Sequence, residues 1–210
     1  MSRPGRPRNR SKAVLRFERR EGREVAIKDY SETSWWIRRL YGRPCLNREE
    51  RAYRRLAGLE EIPQLIGRAD PDRLVLERVP AVSLSEVATE ARPAGIADRL
   101  DRAVSRCHHR GVALVDLHRS NVLIAEDGRL WLVDFSLART RPTRRPGPLQ
   151  RALYQLDRIA VERIRADLEG RPARLPGGLV GWLYRAGRRL SKWRRDWKNA
   201  RYGSQGRTSR

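Results

Sequence analysis

With 210 residues, 39% of them hydrophobic and 34% charged, the chain can supply the core of one domain or of a small two-lobed one. No apolar run reaches the roughly 18 residues of a membrane span, M-S-R-P-G-R-P-R-N-R lacks the apolar stretch of a secretory signal, and Cys45 and Cys107 form no C-x-x-C pair; these features argue against a disulfide framework or zinc site and suit a reducing cytoplasm. The net charge of +22 sits at the ends: residues 1–23 carry nine Lys or Arg against Glu18 and Glu21, residues 171–210 carry twelve against Asp196 alone, and the middle holds only +4.

Residues 1–11 have nothing to bury and are expected to form a disordered basic arm, of a kind that attracts nucleic acid, anionic membrane or acidic partners without choosing among them. Two strands are predicted at Ala13–Phe17 and Glu24–Lys28, around Glu21-Gly22. Trp35, Trp36, Ile37, Leu40 and Tyr41 form an apolar cluster that could dock a short helix ending at Pro44. A firmer helix is expected from Asn47 to Ala57, stopped by Gly58, with Asn47 and Glu50 as a capping box that leaves Glu49 free to pair elsewhere.

Ile62–Ile66 and Leu74–Glu77 read as a second hairpin around A-D-P-D, followed by Arg78-Val79-Pro80. Ile96, Leu100, Ala103, Val104 and Cys107 recur at threes and fours, the buried stripe of a helix. His108, at its end, reads as a satisfied core histidine.

Residues 108–135 carry the chemistry. Val122–Ile124 and Leu130–Val133 are β-rich runs separated by Glu126-Asp127-Gly128, a hairpin turn. A hairpin there brings Asp116 and Asn121, at its entrance, close to Asp134 at its exit. Three oxygen-bearing side chains at one end of a ribbon can assemble a site for a hard cation such as Mg²⁺. Tyr154, Leu156, Ile159, Ala160, Val161 and Ile164 mark a further amphipathic helix, on which Asp157 can brace the backbone of the loop around Asp116.

After R-P-A-R-L-P-G-G, Leu179, Leu183, Ala186, Leu190, Trp193 and Trp197 step by fours and threes, with most of the basic residues off the stripe. This is the pattern of a basic amphipathic helix at an anionic membrane surface, with Trp at the interface level. A helix packed on the core with its basic side solvated gives the same stripe. Residues 199–210 are expected to be disordered.

D-L-x-x-x-N at Asp116–Asn121, hydrophobic-D-F ending at Asp134-Phe135, and V-A-I-K ending at Lys28 together resemble the protein-kinase-like superfamily, and most nearly its small bacterial members of the RIO and lipopolysaccharide-sugar (Kdo/heptose) kinase type. The resemblance implies an α+β, reduced bilobal fold: a β-rich N-lobe over residues 12–79 and a mostly helical C-lobe over 80–170, followed by the basic helix at 171–198. It further implies a phosphotransferase using ATP and Mg²⁺, with Asp116 orienting or deprotonating the acceptor hydroxyl and Asn121 and Asp134 holding the metal. Lys28 would grip the phosphates, paired with Glu49, while backbone groups at Glu77 and Val79 would contact adenine. His118 stands where a phosphate-contacting residue is placed. The acceptor would be a protein Ser/Thr or a membrane glycolipid sugar, and the enzyme would be cytoplasmic, with a peripheral position on the inner membrane face as the further option; nucleic acid is the less favoured partner.

The chain departs from that pattern in three places. No Gly-rich loop precedes V-A-I-K, which leaves a minimal covering loop, phosphate contacts from Arg19, Arg20 and Arg23, or weakened nucleotide binding. Leu114-Val115 replaces the His-Arg of regulated protein kinases, and D-F-S is followed by no A-P-E segment. The alternative function is therefore a non-catalytic kinase-shaped module whose basic arms bind RNA or anionic membrane.

Overall fold

In the computed structural model, which describes residues 13–88, 92–141 and 145–174, the chain opens on a hairpin of β1 (Val14–Arg20) and β2 (Arg23–Asp29). Glu21 and Gly22 both have left-handed backbone (φ 49° and 78°), and Arg20 pairs with Arg23. This two-residue turn matches the twist of the flanking strands. No longer loop separates the two strands. The arm at 1–11, the stripe from Leu179 to Trp197 and the tail at 199–210 lie outside the described residues.

From β2 the backbone passes through a short turn, α1 (Trp35–Ile37), and five π-helical residues, Arg38–Gly42, directly into α2 (Arg43–Leu56). The helix thus starts a turn earlier than the capping box suggested. Pro44 opens α2 instead of closing the preceding segment, since a missing N–H is harmless in a first turn. Asn47 lies inside the helix and accepts a hydrogen bond from Arg68 (2.6 Å), while Glu50 pairs with Arg68 (3.1 Å) and Arg54 (2.6 Å). Consequently Glu49 sits in the second turn, within the buried stripe of Cys45, Leu46, Ala52, Tyr53 and Leu56.

Strands β3 (Leu65–Asp70) and β4 (Arg73–Glu77) complete an antiparallel sheet in the order β1-β2-β4-β3; Ile62 to Gln64, expected as strand, are loop. One corner of this sheet is an ion-pair network. Buried Asp29 accepts the Ser31 N–H (2.7 Å) and faces Arg73 (3.1 Å) and Arg16 (3.4 Å), while Asp72 holds Arg43 (2.8 Å). Burial alone would raise the Asp29 pKa, but Ser31 and the two arginines outweigh it and hold it below the ordinary 3.8. The Arg43 hydrogen bond lowers Asp72 likewise. Groups depressed in the folded state stabilise it above their unfolded pKa and lose that contribution as pH falls through the folded one. Thermal unfolding is therefore expected to shift downward as pH drops below about 3.8, and less steeply in Asp29→Asn, as a melting series in pH will show.

The remainder comprises β5 (Ala81–Ser83), α3 (Ile96–His109), β6 (Val112–Ala113), a 3₁₀ turn at Arg119–Asn121, β7 (Val122–Ala125), β8 (Leu130–Leu132), β9 (Arg139–Thr140) and α4 (Pro148–Leu168). β7 and β8 form the expected hairpin, with β5 on the outer edge of β7; β6 pairs with β9. Gly111 permits the β6–β9 crossing: its φ is 75°, and a Cβ there would collide with the Arg141 carbonyl. One core cluster connects Leu46, Tyr53 and Leu56 of α2 with Leu100 and Val104 of α3, Leu132, Phe135 and Ile164 of α4. Among the described residues no helix is long and apolar enough to cross a membrane.

Candidate active site

Lys28 is the electrostatic centre of the molecule. Its Nζ lies 2.7 Å from Glu49 Oε2 and 2.8 Å from Asp134 Oδ1, so β2, α2 and the segment after β8 meet at one ammonium group. A carboxylate in an apolar helix stripe is expensive to ionise without a partner. Glu49 is 1% exposed, and burial raises its pKa even though Lys28 opposes the shift. Burial would lower the Lys28 pKa, but the Glu49 and Asp134 carboxylates outweigh it and keep the amine protonated above its ordinary range. Partial desolvation also opposes ionisation of Asp134, whose side chain is 42% exposed, yet Lys28 and the Ser136 N–H hold its pKa below 3.8.

The second half of the site is the loop between β6 and β7. Asn121 Nδ2 donates to the Asp116 carbonyl (3.0 Å), which leaves its Oδ1 free to face a ligand. The Val133 N–H donates to the Asn121 carbonyl (3.0 Å) and so ties this loop to the segment carrying Asp134. Asp116 and His118 are both half-exposed with 3.8 Å between Oδ2 and Nε2, an ion-pair distance beyond hydrogen bonding. Val115 and Asp134 have φ of 71° and 63°. Left-handed backbone is costly for a β-branched residue and persists only where its surroundings enforce it.

Asp157 of α4 enforces it for Val115. Buried at 1% exposure, it accepts the Leu114 N–H (2.8 Å), the Val115 N–H (2.7 Å) and a hydrogen bond with His108 Nε2 (2.8 Å). The bracing of the loop expected from sequence is thus present, and His108 is the core histidine expected there, stacked on Tyr154 at 4.0 Å.

Glu77 and Val79 stand at the end of β4. Glu77 exchanges hydrogen bonds with Gln64, its N–H to the Gln64 carbonyl and its carboxylate from the Gln64 N–H (both 2.9 Å), so its side chain is structural. The Val79 carbonyl accepts the Ala81 N–H (3.0 Å), while the Val79 N–H donates to no group among the described residues.

Four contributing residues were not singled out from sequence. Leu15 and Phe17 lie opposite Lys28 and Ala26 and therefore share the face that carries the ammonium group; both are half-exposed and form an apolar roof beside it. Arg78 lies over Phe17 (4.8 Å to the ring centroid) and pairs with Glu24, which fastens the roof to the β4–β5 connection. Strict alternation along β1 is the signal that could have found them. Tyr53, one turn after Glu49, packs edge-on against Phe135 (4.9 Å), and its buried hydroxyl has no hydrogen-bond partner among the described residues. Burial and the Glu49 and Asp134 carboxylates push its pKa well up, so it stays neutral.

Two oxygens remain available for a metal, Asn121 Oδ1 and the second oxygen of Asp134. Hard amide and carboxylate oxygens suit Mg²⁺, which commonly takes few protein ligands and completes its shell with water and phosphate. Among the described residues no group of three or more His, Cys, Asp or Glu is assembled that could form a closed protein cage.

No known protein-family profile matches the chain. An alignment 114 positions long is 31% identical to a probable SapB synthase of Streptomyces coelicolor and covers 44% of this chain and 12% of that much longer protein. Among solved structures, the chain is similar to the Rio2 kinase–ADP/Mg²⁺–phosphoaspartate complex of Chaetomium thermophilum, with a TM-score of 0.64 over 86% of this chain and 59% of the other, at 16% identity. A β-rich N-terminal part, a helical remainder and this likeness establish the architecture as a reduced, mixed α+β protein-kinase-like fold.

Proposed function

We propose that the protein is a Mg–ATP-dependent phosphotransferase that moves the γ-phosphoryl group of ATP to a hydroxyl of a protein Ser/Thr or of a membrane glycolipid sugar. The observation that carries this reading is Lys28 clamped between buried Glu49 and Asp134, beside the loop that presents Asp116 and Asn121. In this reading Lys28 contacts the phosphates, and Leu15 and Phe17 cover the base, whose edge the Val79 N–H meets. Asn121 Oδ1 and Asp134 hold Mg²⁺, which when bound neutralises phosphate charge. Asp116 accepts the acceptor hydroxyl proton as its oxygen bonds to the γ-phosphorus and the bond to ADP breaks. Catalysis is then mainly positional and electrostatic. The test is Mg²⁺-dependent ATP binding, followed by transfer from labelled ATP into a cell-envelope extract compared with a protein extract. Absence of Mg²⁺-dependent binding overturns the proposal.

The two-residue β1–β2 turn favours a second reading, a non-catalytic module using its basic arms on RNA or anionic membrane, because so short a turn offers little backbone to close over a triphosphate. The Lys28–Glu49 pair separates the two. In the phosphotransferase, Lys28→Met weakens ATP binding about tenfold or more, and Glu49→Gln, which leaves the ammonium on Asp134, weakens it less. Titration calorimetry of both variants checks this order; unchanged affinity in Lys28→Met argues for the module.

A further inference from the structure

Between β2 and α2 the chain turns a cluster of large apolar side chains outward. Trp35, Trp36 and Tyr41 are half-exposed or more and Leu40 is 78% exposed, four within seven residues. The indoles of Trp35 and Trp36 stack on one another (4.9 Å, 10° between planes). α1 buries no side chain, and the π-helical residues that follow bury only Gly42. In a π turn, residues four and five apart lie over one another, so Leu40 and Tyr41 continue the ridge begun by the two tryptophans. Such concentration exceeds the scattered apolar exposure of an ordinary surface.

The rim of the ridge is cationic. Arg38 and Arg43 are engaged by Asp72, but among the described residues Arg39 and Arg48 have no carboxylate partner, and Glu32, the segment's own acidic residue, is taken by Arg16.

We propose that this ridge seats the protein on an anionic lipid surface. Indole and leucine framed by unpaired arginine suit the boundary between headgroup and acyl chain. Nucleic acid fits less well: stacking needs open aromatic faces, whereas Leu40 has none and each indole already has one face covered by the other. A second copy is disfavoured, since it would bring together two cationic rims of a chain carrying +22. At its inner end the ridge reaches the candidate active site. Tyr41 lies edge-on to Tyr30 (6.3 Å) and within electrostatic range of Lys28 and Asp134. A chain docked this way holds the Lys28–Asp134 end of its candidate site near the lipid, so its acceptor hydroxyl is one presented at a membrane surface; this last step alone rests on the phosphotransferase reading.

The test is co-sedimentation of the full chain with vesicles of phosphatidylcholine alone or mixed with phosphatidylglycerol. Wild type binds the mixed vesicles. The triple variant Trp35→Ser, Trp36→Ser, Leu40→Ser and the double variant Arg39→Glu, Arg48→Glu each lose about tenfold or more in partitioning, while the exposed control Arg102→Glu, Arg151→Glu loses much less. Thermal melting and ATP binding are measured on the same preparations, and both stay at wild-type values in the ridge variants. Partitioning of the triple variant equal to wild type overturns the proposal, since the basic ends then suffice. So does a control as weak as the Arg39/Arg48 variant, or loss of single-stranded RNA binding with vesicle binding intact. If the ridge variants lose vesicle binding but wild type binds no ATP, the lipid surface stands and the phosphotransferase reading fails.

Discussion

Replacing Asp116 by asparagine is expected to lower phosphoryl transfer about a thousandfold, the scale of a lost general base, while ATP affinity stays within a factor of about two. The change is nearly isosteric, and the hydrogen bond from Asn121 goes to the Asp116 backbone carbonyl, so the loop keeps its shape. Only the charge that receives the hydroxyl proton in the proposed reaction is lost. Asp134→Asn should behave in the opposite manner. Its carboxylate meets Lys28 and leaves one oxygen free for a cation, so neutralising it removes Mg²⁺-dependent nucleotide binding itself. Single-turnover transfer and equilibrium binding with and without Mg²⁺ distinguish the variants. Wild-type turnover in both would remove Asp116 and Asp134 from the chemistry.

The largest effect on stability is expected at Asp157, which makes no contact with the proposed nucleotide. Alanine there leaves the Leu114 and Val115 N–H groups and His108 without their acceptor in a buried site. An orphaned buried donor costs about 1–3 kcal/mol, and here two backbone donors lose their acceptor together. The melting temperature should fall by roughly 10 °C in a chain of this size. Asp157→Asn, which keeps one acceptor oxygen, should lose less. The loop should also suffer beyond the loss of stability. Val115 holds a strained φ of 71° directly before Asp116, and the Asp157 hydrogen bond to its N–H helps hold it there. Turnover at temperatures where Asp157→Ala is fully folded should therefore remain depressed, with ATP affinity near wild type. A variant that melts and turns over like wild type would show that the brace is dispensable.

Much of the arrangement was legible because it depends on local pattern. The Asp-Gly turn between two β-rich runs places β7 and β8, and with them the spacing of Asp116, Asn121 and Asp134. The stripe from Ile96 to Cys107 marks α3 with nearly correct ends. Glu49 was preferred to Glu50 because a capping box was expected to engage Glu50; that box does not form, but the choice holds because Glu49 shares the buried face with Ala52, Tyr53 and Leu56, where a carboxylate requires a cationic partner. The start of α2 was misplaced for an equally physical reason. Asn47 and Glu50 have the spacing of a capping box, but the packing of Cys45 and Leu46 into the core extends the helix through them, and Arg68 from β3 takes both side chains. Local capping chemistry yields when burial of a longer apolar face and a distant cation outweigh it.

By itself, then, the sequence determined the two N-terminal hairpins, the β7–β8 hairpin and the three long helices, though not the short strands β5, β6 and β9, and which residue types could serve phosphoryl transfer, since these follow from periodicity and from chemistry within a few positions of each other. Only the tertiary structure decided that Lys28 is shared between Glu49 and Asp134, that Asp157 holds Val115 in a left-handed backbone, and that Trp35, Trp36 and Leu40 face outward while Tyr53 is buried. Each of these depends on groups brought together from distant parts of the chain. Alternation and helical spacing specify which face a residue occupies, but what lies across from that face is set by how the sheet, α2 and the loop around Asp116 pack on one core.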